Sequence, residues 1–318
     1  MSQTASATPA HRATTSTGDA IFAAAAKGCG ILVLVILSAI IVSLFIGGLP
    51  AFRAFGFNFL VNPDWDPVRQ IFGAEVPIYG TLVTAVLGIA IAVPLAFGIA
   101  FYLTELAPEW FRRPVGTAVE LLAAVPSIIY GMWGFFVVVP IMGDYVQPFM
   151  IDLFDGVPVL GTLFAGPAFG TGILTSALIL AIMILPFIAA TMRDVFLTVP
   201  AVFKESAYGV GCTTWEVMRS IVLPYTRASV VGGIMLGLGR ALGETMAVTF
   251  VIGNTNRIST SLFGPGNTIA SIVALEFPES PTGSLKLSSL LALGFLLFVI
   301  SFIVLAISRL LLRTKVKS

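Results

Sequence analysis

The sequence predicts an all-α integral membrane protein with about six transmembrane helices, and three observations predict it. Of the 318 residues, 57% are hydrophobic and only 10% are charged, against roughly 25% charged residues in a soluble domain. The mean hydropathy is +1.01. Charge-free apolar stretches recur along the chain, each near the ~20 residues a helix needs to cross a hydrocarbon core of ~30 Å. Such stretches must be helical, because no water is present there to satisfy backbone polar groups.

The candidate spans are Gly28–Leu49, Val76–Leu103, Ala118–Met142, Thr171–Met192, Val230–Ile252 and Leu287–Ser308. The first begins only after Lys27 and is too long for the apolar part of a cleaved signal. Residues 1–27 therefore read as a disordered cytoplasmic leader, with His11 solvated, and residues 28–318 as one transmembrane domain. Pro94 and Pro126 fall inside predicted spans, where kinks are expected. Cys29 and Cys212 read as free thiols. A net charge of +1 without a basic patch gives no reason to expect nucleic acid.

Orientation follows from the loop cations. With the N-terminus inside, the inner segments hold twelve Lys and Arg residues and the outer segments four: Arg53, Arg69, Arg257 and Lys286. Both termini are thus expected in the cytoplasm. The outer loop Gly143–Gly170 carries Asp144, Asp152 and Asp155 and no base, which agrees. The Asn, Pro and Gly content of the long outer loops predicts turns, with at most a short interfacial helix over Thr268–Phe277.

The inner loop 193–229 reads as a helix-turn-helix. Pro200 suits the first turn of a helix through Gly209, and Gly211 suits the reversal. Thr213–Val222 forms a second short helix that Pro224 ends. Small residues there let a partner approach closely.

The fifth span carries two charges, Arg240 and Glu244, in a run rich in glycine. Arg240 lies about ten residues in, near 15 Å deep at 1.5 Å per residue. A charge there costs roughly 2.5–3.5 kcal/mol on insertion scales. Four residues apart, the two share a helix face and can pair. Gly233 and Gly237 lie on the same stripe, allowing close helix approach or room for a small solute. A guanidinium stays protonated and matches two oxygens of an oxyanion. Glu244 either holds that guanidinium or accepts a hydrogen bond from a protonated anion. Ser127 and Tyr130 follow Pro126, where broken backbone either lines a path or packs a neighbour. Glu120, near the inner end of the third span, reads as a snorkelling side chain.

The spacing of Glu205, Ala207, Gly211, Ile221, Leu223 and Pro224 resembles the signature loop of ABC importer permeases. Ser206 replaces a customary alanine, small for small. The resemblance implies the type I importer permease fold. It also implies that Glu205, Ser206, Ala207 and Gly211 dock on a separate, dimeric ATPase. The segments Gly237–Asn254, Val125–Gly131 and Tyr79–Leu82 resemble the PstC family of phosphate importer permeases. That likeness implies inorganic phosphate as substrate, and a location in the bacterial inner membrane. It further implies a second permease of the PstA type and a periplasmic phosphate-binding protein as partners, beside membrane lipid. Charge alone equally permits sulfate or molybdate.

No G-x-x-x-x-G-K-[ST] phosphate loop occurs in the chain, so nucleotide hydrolysis is expected in a separate subunit. An ATP-independent secondary transporter would suit the Arg–Glu pair but has no use for a docking loop. A membrane enzyme is disfavoured, since the chain has one His and no nucleophile–base pair. No cofactor or metal is expected.

Overall fold

The computed structural model describes residues 17–315, so most of the expected leader, His11 included, lies outside the described residues. The rest of that leader is helical. Helix α1 runs Thr17–Phe55, because the alanine-rich stretch before Lys27 extends a helix at little entropic cost. The other principal helices are α2 (Glu75–Leu106), α3 (Glu109–Ala123), α4 (Ser127–Phe154), α5 (Ile173–Leu197), α6 (Ala201–Gly209) and α7 (Thr214–Leu242). After these come α8 (Met246–Thr249), α9 (Ile269–Glu276) and α10 (Leu285–Lys315). Six of these elements (α1, α2, α4, α5, α7 and α10) are long and apolar enough to cross a membrane.

Alanine decides the packing at the centre. Ala85, Ala92, Ala96 and Ala100 line one stripe of α2 and are buried, and Leu180, Ile184 and Ile188 of α5 belong to the same apolar cluster. Without longer side chains between them the backbones approach closely, which is how helices associate in lipid. Helix α7 leans on both, and α1 pairs with α10. There, a Cβ on Gly48 would lie 2.8 Å from the Ala292 Cα. A two-stranded hairpin, β1 (Trp65–Asp66) and β2 (Ile71–Phe72), pairs antiparallel beyond the end of α1. Trp65 lies edge-on to Phe72 at 4.9 Å, and its indole N–H donates to Glu276 at 3.0 Å. Lys286 pairs with the same carboxylate at 3.1 Å. The short helix expected over Thr268–Phe277 exists as α9, with Ile269–Ile272 buried in the protein rather than lying at an interface.

The third and fifth spans differ most from expectation, and proline shifts where each begins. The third span begins at Ser127, not Ala118, because the chain breaks at Ala124–Pro126 between α3 and α4. It then continues through Met142 to Phe154, into the expected outer loop. The fifth span begins at Thr214, not Val230, because Pro224 does not end the preceding helix. Each of the four π turns, Tyr102–Leu106, Gly134–Val138, Met142–Val146 and Met218–Val222, ends two residues before a proline. Proline lacks an N–H and its ring collides with the carbonyl four residues back. The wider turn moves that carbonyl aside, so helices α4 and α7 run on through Pro140, Pro148 and Pro224.

Candidate functional site

Helix α5 crosses the whole bundle and serves as a depth gauge. A Cβ on Gly233 would meet the Thr191 Cγ2 at 2.8 Å, and one on Gly237 the Ile188 Cδ1 at 2.7 Å. Three residues beyond Gly237, Arg240 is level with the middle of α5, about 18 Å from either end at 1.5 Å per residue. On the other side of α5, a Cβ on Gly134 would touch Ile179 at 2.9 Å and Val251 at 3.2 Å. Ser127, about 10 Å nearer the α6 end of the bundle, reaches nearly the same mid-depth as Arg240.

Two helix breaks therefore meet halfway across the bundle. One is Ala124–Pro126, between α3 and α4. The other is Gly243–Thr245, between α7 and α8. Helix α8 packs on the first turns of α4. Gly131 makes this approach possible, since a Cβ there would come within 3.0 Å of the Met246 carbonyl oxygen and the Ala247 Cα. The Tyr130 hydroxyl donates to the Leu122 carbonyl at 3.0 Å, holding the first break closed on itself. Irregular backbone at this depth persists only where protein buries it or a wet cavity lies beside it.

The expected Arg240–Glu244 ion pair does not form. Helix α7 ends at Leu242 with Gly243 as its cap, so the two side chains are no longer one helical turn apart. Glu244 instead accepts the Ala247 backbone N–H at 3.3 Å, capping α8. Among the described residues Arg240 has neither an ion pair nor a hydrogen bond, and its side chain is exposed on this chain. Gly233 and Gly237 are buried where α7 seats closely on α5. Replacing Gly237 with Leu is expected to lower the melting temperature of the assembled protein, by the ~1–3 kcal/mol that overpacking costs. An unchanged melting curve would contradict the tight approach. Ser127 is half-buried beside the first break.

At the α6 end, the loop read as a helix-turn-helix is α6, a turn, and the start of α7. Gly211 has φ +92°, a conformation other residues avoid, and so makes the reversal. The Thr213 hydroxyl accepts the Glu216 N–H and the Glu216 carboxylate accepts the Thr213 N–H, a capping box that starts α7. Glu205, Ser206 and Pro224 are exposed, whereas Ala207 is buried and Ile221 and Leu223 pack against the core. Ser206 donates to the Val202 carbonyl at 2.6 Å, so its hydroxyl is spent within its own helix. Around them Val202 is 68% and Val210 82% exposed, an apolar surface without a partner in this chain.

The comparisons with known proteins accord with this architecture. Residues 88–317 match the family described as binding-protein-dependent transport system inner membrane component. A phosphate transport system permease protein PstC from Mesorhizobium japonicum is 60% identical over 92% of this chain and 89% of its own. The Pasteurella multocida PstC is 57% identical over 92% and 91%. This chain belongs to the PstC family of permeases. Among solved structures, a bacterial ABC transporter involved in alginate import shares the fold, with a TM-score of 0.58 at 18% identity over 91% of this chain and 96% of that one. The permease is thus a multi-pass inner-membrane component of a transport system, not an enzyme.

Two ion-pair clusters beside α5 and α6 have no counterpart among the sequence expectations. Glu120 does not snorkel: it pairs with Arg193 of α5, which also pairs with Asp194 at 2.8 Å. Lys204 of α6 pairs with Glu105 at the end of α2 at 2.6 Å, their side chains 17% and 7% exposed. No local pattern joins positions 99 residues apart. Lys204→Met would leave the Glu105 carboxylate buried and unpaired, at about 3 kcal/mol. The exchange Glu105→Lys with Lys204→Glu is expected to recover the loss, as read by thermal unfolding of the assembled complex. Failure of Lys204→Met to destabilise would contradict the pairing.

Proposed function

We propose that this chain forms the phosphate path of an ATP-driven importer together with a second permease of the PstA type. The observation that carries the proposal is Arg240, an unpaired guanidinium at mid-depth beside two broken helices. Lipid would not tolerate that charge uncompensated. Facing a second permease across a wet path, it has a partner whenever an anion passes. The N-terminus of the long helix α4 opens at the same depth, adding partial positive charge from unsatisfied N–H groups. Ser127 lies there and supplies a hydroxyl. Glu244 orders the break by capping α8. In this reading Gly233 and Gly237 support the path from behind by letting α7 seat on α5.

The coupling surface is α6. Glu205 and Ser206, with the exposed apolar residues around them, meet a dimeric ATPase. Ala207, Ile221 and Leu223 anchor the surface to the core, Gly211 turns the chain and Pro224 stands beside the π turn. Because α7 is continuous from Thr214 to Leu242, a movement of the dock is passed along one rigid rod to Arg240. A periplasmic phosphate-binding protein delivers the anion on the opposite side, and both termini lie in the cytoplasm.

The test is uptake of radiolabelled phosphate by vesicles containing the assembled importer and its binding protein. Uptake is expected to require internal ATP, to survive collapse of the ion gradients, and to resist a hundredfold excess of sulfate or molybdate. Uptake driven by an ion gradient without ATP would overturn the proposal in favour of a secondary transporter.

A further inference from the structure

On the α6 side of Arg240, helices α5, α7 and α10 do not close against one another. They leave a groove of about 900 Å³, lined by Thr191, Ser229, Gly232, Leu236, Phe302 and Arg309 among others. Its walls are mostly apolar. A Cβ on Gly232 would meet nothing within 4 Å, so the missing side chain opens the groove. Thr191 lies about 9 Å from the α6 end of α5, which puts the groove within one leaflet. Phe302 and Arg309 are about 10 Å apart along α10, less than half of a ~30 Å hydrocarbon core. That is short for a crossing helix and suits part of an acyl chain.

Arg309 stands at the surface end of the groove. It is exposed, and among the described residues it makes no ion pair or hydrogen bond. The sequence that follows adds Arg313, Lys315 and Lys317, and no Asp or Glu occurs after Glu279. An apolar trough one leaflet deep, ending at the cation Arg309, has the chemistry of an anionic lipid: hydrocarbon along the wall, phosphate at the guanidinium. A free phosphate would gain nothing from the apolar wall.

We infer that this groove binds an acidic phospholipid of the adjacent leaflet, its headgroup on Arg309 and an acyl chain against α7 and α10. The assembled importer can be reconstituted in vesicles of equal phosphatidylglycerol and phosphatidylcholine, extracted gently and analysed by native mass spectrometry. Phosphatidylglycerol is expected to be retained preferentially. Arg309→Gln should cut that preference about fivefold, the worth of one basic residue near an acidic membrane surface. Gly232→Leu, whose Cβ would meet nothing within 4 Å, should fill the groove and displace the lipid whatever its headgroup. Equal retention of the two lipids, or retention unchanged in both variants, would overturn the inference. So would a disulfide between a cysteine placed at position 302 and the second permease, since the groove would then hold protein.

Discussion

Replacing Arg240 with Gln is expected to reduce phosphate uptake about ten- to a hundredfold, the worth of a charge-assisted hydrogen-bonded contact of ~1.5–3 kcal/mol. Assembly and thermal stability should be unaffected. The second half of that expectation follows from the helix break at Gly243. Had Arg240 and Glu244 formed a buried pair, losing one partner would strand the other at about 3–5 kcal/mol. Glu244 instead caps α8 through the Ala247 N–H, so removing the guanidinium orphans nothing. Uptake normalised to assembled complex, measured beside a melting curve, separates the two roles. Loss of stability with normal residual uptake per complex would make Arg240 a structural residue.

Gly211→Val is expected to have the next largest effect, on the coupling surface. At φ +92° a β-branched residue is strained by about 1–3 kcal/mol, although a Cβ at this position would meet nothing within 4 Å. The cost is backbone, not clash, so the chain relieves it by re-aiming α6 relative to α7. ATPase co-purification should fall about tenfold or more, the factor that ~1.4 kcal/mol commands. Membrane insertion should persist, because no span is touched. Gly211→Asn should be milder, since Asn tolerates positive φ. Undiminished ATPase recovery with Val would contradict the docking role.

What could be read in the sequence was what local chemistry dictates. Long apolar runs with few charges mark the six spans, Gly211 marks the reversal, and Pro200 and Thr213 mark the starts of α6 and α7. What escaped was what depends on other parts of the chain. Pro224 looks like a terminator until the π turn before it is seen, and that turn exists because α7 gains more by packing on α2 and α5 than by stopping. Glu244 looks like the partner of Arg240 because a continuous helix is the simplest reading of a run without proline. The helix yields there because α8 packs against Gly131 of α4. Gly233 and Gly237 share a stripe of α7 that faces α5, while Arg240 is exposed, and only the position of α5 tells the two apart. The pair Lys204–Glu105 has no local signal at all.

The central claim is that a positive charge at position 240 meets the transported anion. Its most direct test is Arg240→Cys in an importer whose Cys29 and Cys212 are replaced by serine, assayed for phosphate uptake after thiol modification. A reagent that adds an aminoethyl group restores positive charge at the helix break, and a methyl or ethyl reagent adds bulk alone. Uptake is expected to be low in the cysteine variant, to recover with the aminoethyl adduct, and to stay low with the neutral adducts. Equal uptake with charged and neutral adducts would contradict the claim.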